Sequence, residues 1–256
     1  DLEARKLEFP EVADPISIPY EFDKTVSDVF DETLDLIKNK FIKARYTHSL
    51  YLKKKPSAFE MRQLENLGGF MKTQLVKRLE SSFFAFKKTI SRFISSHENF
   101  IRMLNSGQIL IGKSLNVIDL LDEDDNEKIE KLVEEGKLEK FKSSDYEDKF
   151  LHDLHNDLEI LKIIEDLWKD IRIDPKINAL IRELKNNKNL KSKKLVMFTE
   201  SAETGNYLLE KISKEFNNQT MFYSSKGGKI HQDNKIRGIS VRESRDLIRE
   251  NFDPNI

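Results

Sequence analysis

The sequence predicts a mainly α-helical chain that closes in a short α/β part. Three observations carry that prediction. The 256 residues include only 9 Gly and 6 Pro, too few for a turn-rich sandwich or barrel, while charged residues reach 35% against a usual value of about 25%. Apolar residues from Val76 to Leu104 recur at intervals of three and four, the period of one helical face. After Asp174 the texture changes, and short apolar runs alternate with helical stretches.

Taken in order, residues 7–20 hold Pro10, Pro15 and Pro19. Each proline disfavours the helical region for its predecessor, so residues 1–23 read as a linker. Val26, Phe30, Thr33, Ile37 and Phe41 share one face of a helix over 24–41. Beyond Lys53-Lys54-Lys55-Pro56 and the Gly68-Gly69 pair, Val76, Leu79, Phe83, Phe86, Ile90, Phe93, His97, Phe100 and Leu104 predict one long helix with a continuous apolar seam. Ser106-Gly107 ends it, and a short apolar piece over 108–111 follows. Residues 119–148 hold thirteen acids and five lysines and read as a solvated acidic elbow. Leu151, Leu154, Leu158, Leu161, Trp168 and Ile171 then predict a second amphipathic helix packed antiparallel on the first, which makes 24–173 a protruding helical hairpin.

Residues 174–256 form the second unit. Asp174-Pro175 supplies a cap residue with proline at the first helical position, and Ile177, Leu180, Ile181 and Leu184 continue that helix. Residues 194–199 and 220–223 read as buried strands on either side of a helix that begins at Ser201 and carries Tyr207, Leu208 and Ile212. A Ser/Gly/Lys loop over 224–240 leads to a last helix over 241–252. Strand, helix, strand, helix implies a parallel α/β unit. Two strands cannot cover their own faces and edges, so the unit reads as the start of a larger sheet.

Composition narrows the chemistry. With 44 Lys+Arg against 45 Asp+Glu the net charge is −1, and charge alone names no partner. The absence of Cys excludes thiol nucleophiles, disulfide scaffolds, iron–sulfur clusters and Cys-ligated zinc. No apolar run approaches the roughly 18 residues of a membrane span, and no signal peptide opens the chain, so a cytoplasmic protein without membrane contact is expected. The chain opens on Asp1 rather than Met, which suggests a piece of something longer.

Several motifs carry possible chemistry. Residues 107–114 match the phosphate-loop pattern G-x-x-x-x-G-K-[ST], with Lys113 and Ser114 in the phosphate and magnesium positions. The pattern follows a helix rather than a buried strand, and Ile109-Leu110-Ile111 are themselves strand-like, so the context favours a chance match. Residues 122–126 superficially suggest a calcium loop, but Glu127 replaces its glycine and Val133 its closing glutamate. His152, Asp153, His155 and Asp157 lack the spacing of a zinc peptidase pair. His97, inside the apolar seam, reads as a packed residue. Between Gly68 and Arg102, Lys72, Lys77, Arg78, Lys87, Lys88, Arg92 and Arg102 face only Glu80 and Glu98, a net of +5. Within this stretch Arg78, Ser81, Ala85, Lys88 and Arg92 form a strip of cations and small residues opposite the seam. It suits a phosphate backbone, or else is an ordinary solvated helix face or one packed on another helix.

At these residues a family resemblance enters. Gly68-Gly69-Phe70-Met71, Leu75-Val76-Lys77-Arg78-Leu79-Glu80-Ser81-Ser82 and Ala85-Phe86-Lys87-Lys88-Thr89 resemble the helical segment between the motor lobes of bacterial Swi/Snf-like proteins, DNA-dependent ATPases of helicase superfamily two. Lys194-Leu195-Val196-Met197-Phe198-Thr199-Glu200-Ser201 resembles the opening strand and turn of their second RecA-like lobe. Ile248-Arg249-Glu250-Asn251-Phe252-Asp253-Pro254-Asn255 resembles a helix end further into that lobe, and Leu7-Glu8-Phe9-Pro10-Glu11-Val12 the stretch leaving the first lobe.

The resemblance implies an incomplete RecA-like parallel sheet unit after the helical hairpin. It also implies a parent helicase or translocase that uses ATP and magnesium, with double-stranded DNA and the first lobe as partners. Lys72, Lys77, Arg78, Lys87, Lys88 and Arg92 are its DNA-facing candidates, and Phe198, Thr199, Glu200 and Ser201 its inter-lobe edge. It assigns this chain no catalytic residue, no metal ligand and no cofactor of its own, so the chain alone is expected to be inactive. Two other classes stay open, a helical coiled-coil module that binds a protein partner and a self-contained nucleotidase using residues 107–114.

Overall fold

The computed structural model describes residues 14–112, 138–191, 193–216 and 220–252. Residues 119–137 of the acidic elbow with its calcium-like run, Lys113 and Ser114 of the phosphate pattern, the stretch 7–12 and the residues 253–255 lie outside the described residues. The remainder of the elbow is not a solvated run, because Leu138–Lys142 is a paired strand and Tyr146 is buried.

Helix α1 (Lys24–Asp35) starts where the Asp23 carboxylate accepts the Val26 amide at 2.8 Å, and continues as a π-helical turn, Leu36–Lys40. A 3-10 segment, Ala44–Tyr51, leads to α2 (Ala58–Ser81), which opens on a capping box of Ser57 and Glu60 and runs straight through the Gly68-Gly69 pair. The single long helix expected over the apolar seam is two helices. Ser82 is extended (φ −161, ψ 124), closes α2 and caps α3 (Phe83–Asn105) by accepting the Ala85 amide on its hydroxyl. A serine hydroxyl that can satisfy an amide locally competes with helix continuation, which period counting does not register.

Gly107 (φ 92) ends α3 as expected. The next residues, β1 (Gln108–Gly112), pair antiparallel with β2 (Leu138–Lys142). Helix α4 (Asp148–Lys169) then runs back along α3. Phe100 meets Phe150 at one end of the pair, and Phe83 and Phe86 meet Trp168 at the other, so the predicted antiparallel hairpin is present. Trp168, Phe86, Phe41, Ile37, Leu75 and Leu79 are fully buried in the core that α1 and α2 complete. Each contributes about 1.5–3 kcal/mol by the usual burial coefficient.

A polar clamp fixes the chain between the π-turn and the 3-10 segment. The carboxylate of Asp157 on α4 accepts the amides of Ile42 and Ala44 at 2.6 Å each, across a turn in which Lys43 is left-handed (φ 66). Burial raises the Asp157 pKa to about 6 against the lowering pull of those backbone amides. His97 is fully buried beside Phe41 and Tyr46, and its Nδ1 donates to the Phe93 carbonyl at 2.8 Å. Burial, helped by the charge of Arg45, lowers its pKa to about 3.

After Asp174 the elements are α5 (Pro175–Asn186), α6 (Ala202–Ser213), β3 (Met221–Ser224), β4 (Gly227–Gln232), β5 (Lys235–Ile239) and α7 (Val241–Phe252). Asp174 caps α5 through the Lys176 and Ile177 amides, and Ser201 caps α6 through the Thr204 amide, at the positions their residue types predict. The parallel α/β unit is not present among the described residues. Residues 194–199 form no strand, and β3, β4 and β5 make an antiparallel sheet in that order. The reason lies in the stretch read as a loop, where Asp233 and Asn234 both take positive φ (50 and 58) and so close a tight hairpin. Cross-strand partners share a face, so Phe222 and Lys229 lie on one side and Tyr223, Gly228 and Ile239 on the other. The Phe222 ring fills the space a side chain at Gly205 of α6 would need, and Ser244 of α7 does the same at Gly228. Helices α6 and α7 therefore cover opposite faces of the root of this sheet.

Candidate functional site

The cations of α2 and α3 divide into an inner and an outer set. Arg78 is buried near the end of α2 and places Nη1 3.2 Å from Oε2 of Glu203. Arg92, one face of α3 further on, places Nη1 2.9 Å from Oε1 and Nη2 3.3 Å from Oε2 of the same carboxylate. Glu203 stands in the first turn of α6, where the helix dipole favours an acid. Phe84 stacks on Tyr207 of α6 with ring centres 4.9 Å apart, and the Tyr207 hydroxyl donates to the Asp174 carboxylate at 3.2 Å. Burial first, then Asp174, pushes the Tyr207 phenol well above its ordinary pKa.

Of the cationic strip read from the sequence, Arg78 and Arg92 therefore seat α6 rather than form an open surface, and Ala85 is buried. Lys72 donates to the Lys38 carbonyl at 2.7 Å and Lys87 to the Ile171 carbonyl at 2.5 Å, and partial burial lowers both pKa values. Lys77 and Lys88 are exposed, with Lys88 lying 5.1 Å from the centre of the Phe84 ring.

Phe198, Thr199 and Glu200 are exposed, Phe198 at 95%. They precede the Ser201 cap directly, and the Ser201 amide donates to Thr199 Oγ1 at 3.2 Å. The turn thus sits at the N-terminal end of α6, two positions before Glu203. Glu203, Phe84 and Tyr207 are the residues that sequence reasoning missed. The available signal was an acid in the first turn of a serine-capped helix, which by itself fits ordinary dipole compensation.

The other candidate chemistries are not assembled into a site, although His152 Nδ1 lies 3.3 Å from Asp153 Oδ1. Asp153 accepts the Tyr51 hydroxyl at 2.8 Å and Asp157 serves the polar clamp, whereas His152 and His155 on the same helix are exposed. Among the described residues no group of three His, Asp or Glu is arranged to hold a metal ion. Between the two glycines of the phosphate pattern the backbone is the paired strand β1, which cannot wrap a triphosphate. No described helix is long and apolar enough to cross a membrane. No known family, curated protein or solved structure matches the chain.

Proposed function

We propose that the chain is part of an ATP-dependent DNA helicase or translocase, with the α2–α3–α4 bundle acting as a stiff lever on a piece of the second motor lobe. The observation that carries the reading is the Arg78–Glu203–Arg92 cluster. A largely buried carboxylate shared by two guanidiniums resists sliding, because separating them strands charge away from water. Any rotation of α6 is therefore passed to the bundle, as a motor element requires.

Two further features support the reading. Helices on both faces of the β3–β4 root are the layering of an α/β lobe. The strand-type run 195–198, exposed and without strand partners among the described residues, has the composition of a further strand of that lobe. In this reading Lys77 and Lys88 face duplex DNA, and ATP and magnesium bind to residues outside the described ones. The test is to read the coding frame on both sides of this segment. A strand-borne G-x-x-x-x-G-K-[ST] with an acidic pair upstream and an arginine-bearing motif downstream supports the proposal. A start codon adjoining Asp1 together with a stop after Ile256 overturns it in favour of a helical binding module.

A further inference from the structure

The β4–β5 hairpin stands clear of the helices that cover its root. Residues 232–238 are all exposed, whereas Gly228 and Ile239 are buried against α7. From that root to the turn at Asp233 the ribbon extends roughly 17 Å at about 3.4 Å per residue. Over 226–242 the sequence carries Lys226, Lys229, Lys235, Arg237 and Arg242 against Asp233 alone, a net of +4 in a chain whose total is −1.

The register distributes these charges on both faces. Lys229 lies opposite Gly238 and shares its face with His231 and Ile236, while Lys235 and Arg237 lie on the other face with Gln232 and Ile230. Arg237 is held in place by Gln232 at 3.1 Å and by Glu243 at 3.2 Å, both exposed contacts. Nothing stands within 4 Å of where a side chain at Gly238 would project, so the backbone there is bare and open to close approach.

We propose that this ribbon inserts into a groove of duplex DNA, with Lys229 on one phosphate wall and Lys235 on the other. The proposal rests on the motor reading for its partner and adds a contact that the resemblance does not assign. Shape and charge favour a groove over a flat anionic surface. A two-stranded ribbon fits the major groove, about 12 Å wide and about 8.5 Å deep, with phosphates on both sides. A membrane surface or a single acidic helix would engage one face and leave the cations of the other in water.

The test measures fluorescence anisotropy of a labelled duplex with the full chain, from about 50 to about 200 mM salt. The Lys229→Gln/Lys235→Gln variant should reduce the slope of log affinity against log salt by about 2, one for each lost phosphate contact. Both side chains are exposed, and an unchanged far-UV circular dichroism spectrum confirms that the fold is kept. A Lys77→Gln/Lys88→Gln variant separates the two proposals. If that variant weakens binding while the ribbon variant matches the unsubstituted chain, the ribbon contact is overturned and the DNA reading stands. If the unsubstituted chain shows no salt-sensitive duplex binding, both are overturned. Equal loss on labelled poly-glutamate also overturns the duplex assignment, in favour of an acidic polypeptide.

Discussion

Acid should loosen this protein through His97. The imidazole is fully buried among Phe41, Tyr46 and Phe93, and its one hydrogen bond among the described residues is the Nδ1 donation to the Phe93 carbonyl, while Nε2 has no partner. Protonating Nε2 would place a second positive charge near Arg45 inside the core. The folded pKa is lowered to about 3, whereas the unfolded chain titrates near 6.5. The sign follows: the histidine contributes its full stability above about pH 6.5, and that contribution is lost as the pH falls toward 3. Between pH 7 and pH 5 the unfolded chain takes up the proton and the folded one does not, which costs about 2 kcal/mol. For a chain of this size that lowers Tm by roughly 4–8 °C. His48, lowered by burial to about 4, acts in the same direction. Asp157, raised to about 6, acts in the opposite one and gains stability as the pH falls through that value. The clean comparison is therefore His97→Phe against the unsubstituted chain, with melting followed by far-UV circular dichroism at both pH values. The substitution removes only the His97 titration, so the acid-induced drop in Tm should shrink by the amount above, whatever the variant's absolute stability. Equal drops in both proteins would refute the reasoning.

Two other expectations concern buried charges. Glu203→Leu removes the carboxylate that Arg78 and Arg92 share and should cost about 3–5 kcal/mol in urea unfolding; adding Arg78→Met should recover part of it, and a double variant no better than the single one would count against the cluster as a coupling element. Asp157→Ala leaves the Ile42 and Ala44 amides without an acceptor and should cost about 2–4 kcal/mol, with hydrogen exchange at those two amides rising ahead of the rest of the bundle.

Much of the helical half was legible from spacing. The seam from Phe83 to Leu104 and the Leu151–Trp168 pattern place their apolar residues on one face each, and two such faces bury each other most simply as an antiparallel pair. The caps at Asp174 and Ser201 were legible for a local reason, since each side chain bonds an amide two or three residues away. The break at Ser82 was hidden, because the apolar period runs through it and only the backbone shows that the hydroxyl has replaced a helical turn. The sheet was misread because its second and third strands are rich in glycine and charge. Gly227, Gly228 and Gly238 carry no hydrophobic alternation, and their pairing depends on the Asp233-Asn234 turn.

The candidate site was half legible in the same sense. Composition marked Arg78, Lys88 and Arg92 as a cationic strip, but whether a strip faces solvent or a helix depends on residues distant along the chain. Glu203 lies 125 positions from Arg78. The sequence by itself determined what is set within a few residues: helix periods, the caps at Asp174 and Ser201, and the Gly107 stop. Only the tertiary structure decided which cations are buried on Glu203, which carboxylate clamps Lys43 and which strands pair. Each of those depends on bringing a distant partner out of water, and that free energy appears only when both surfaces meet.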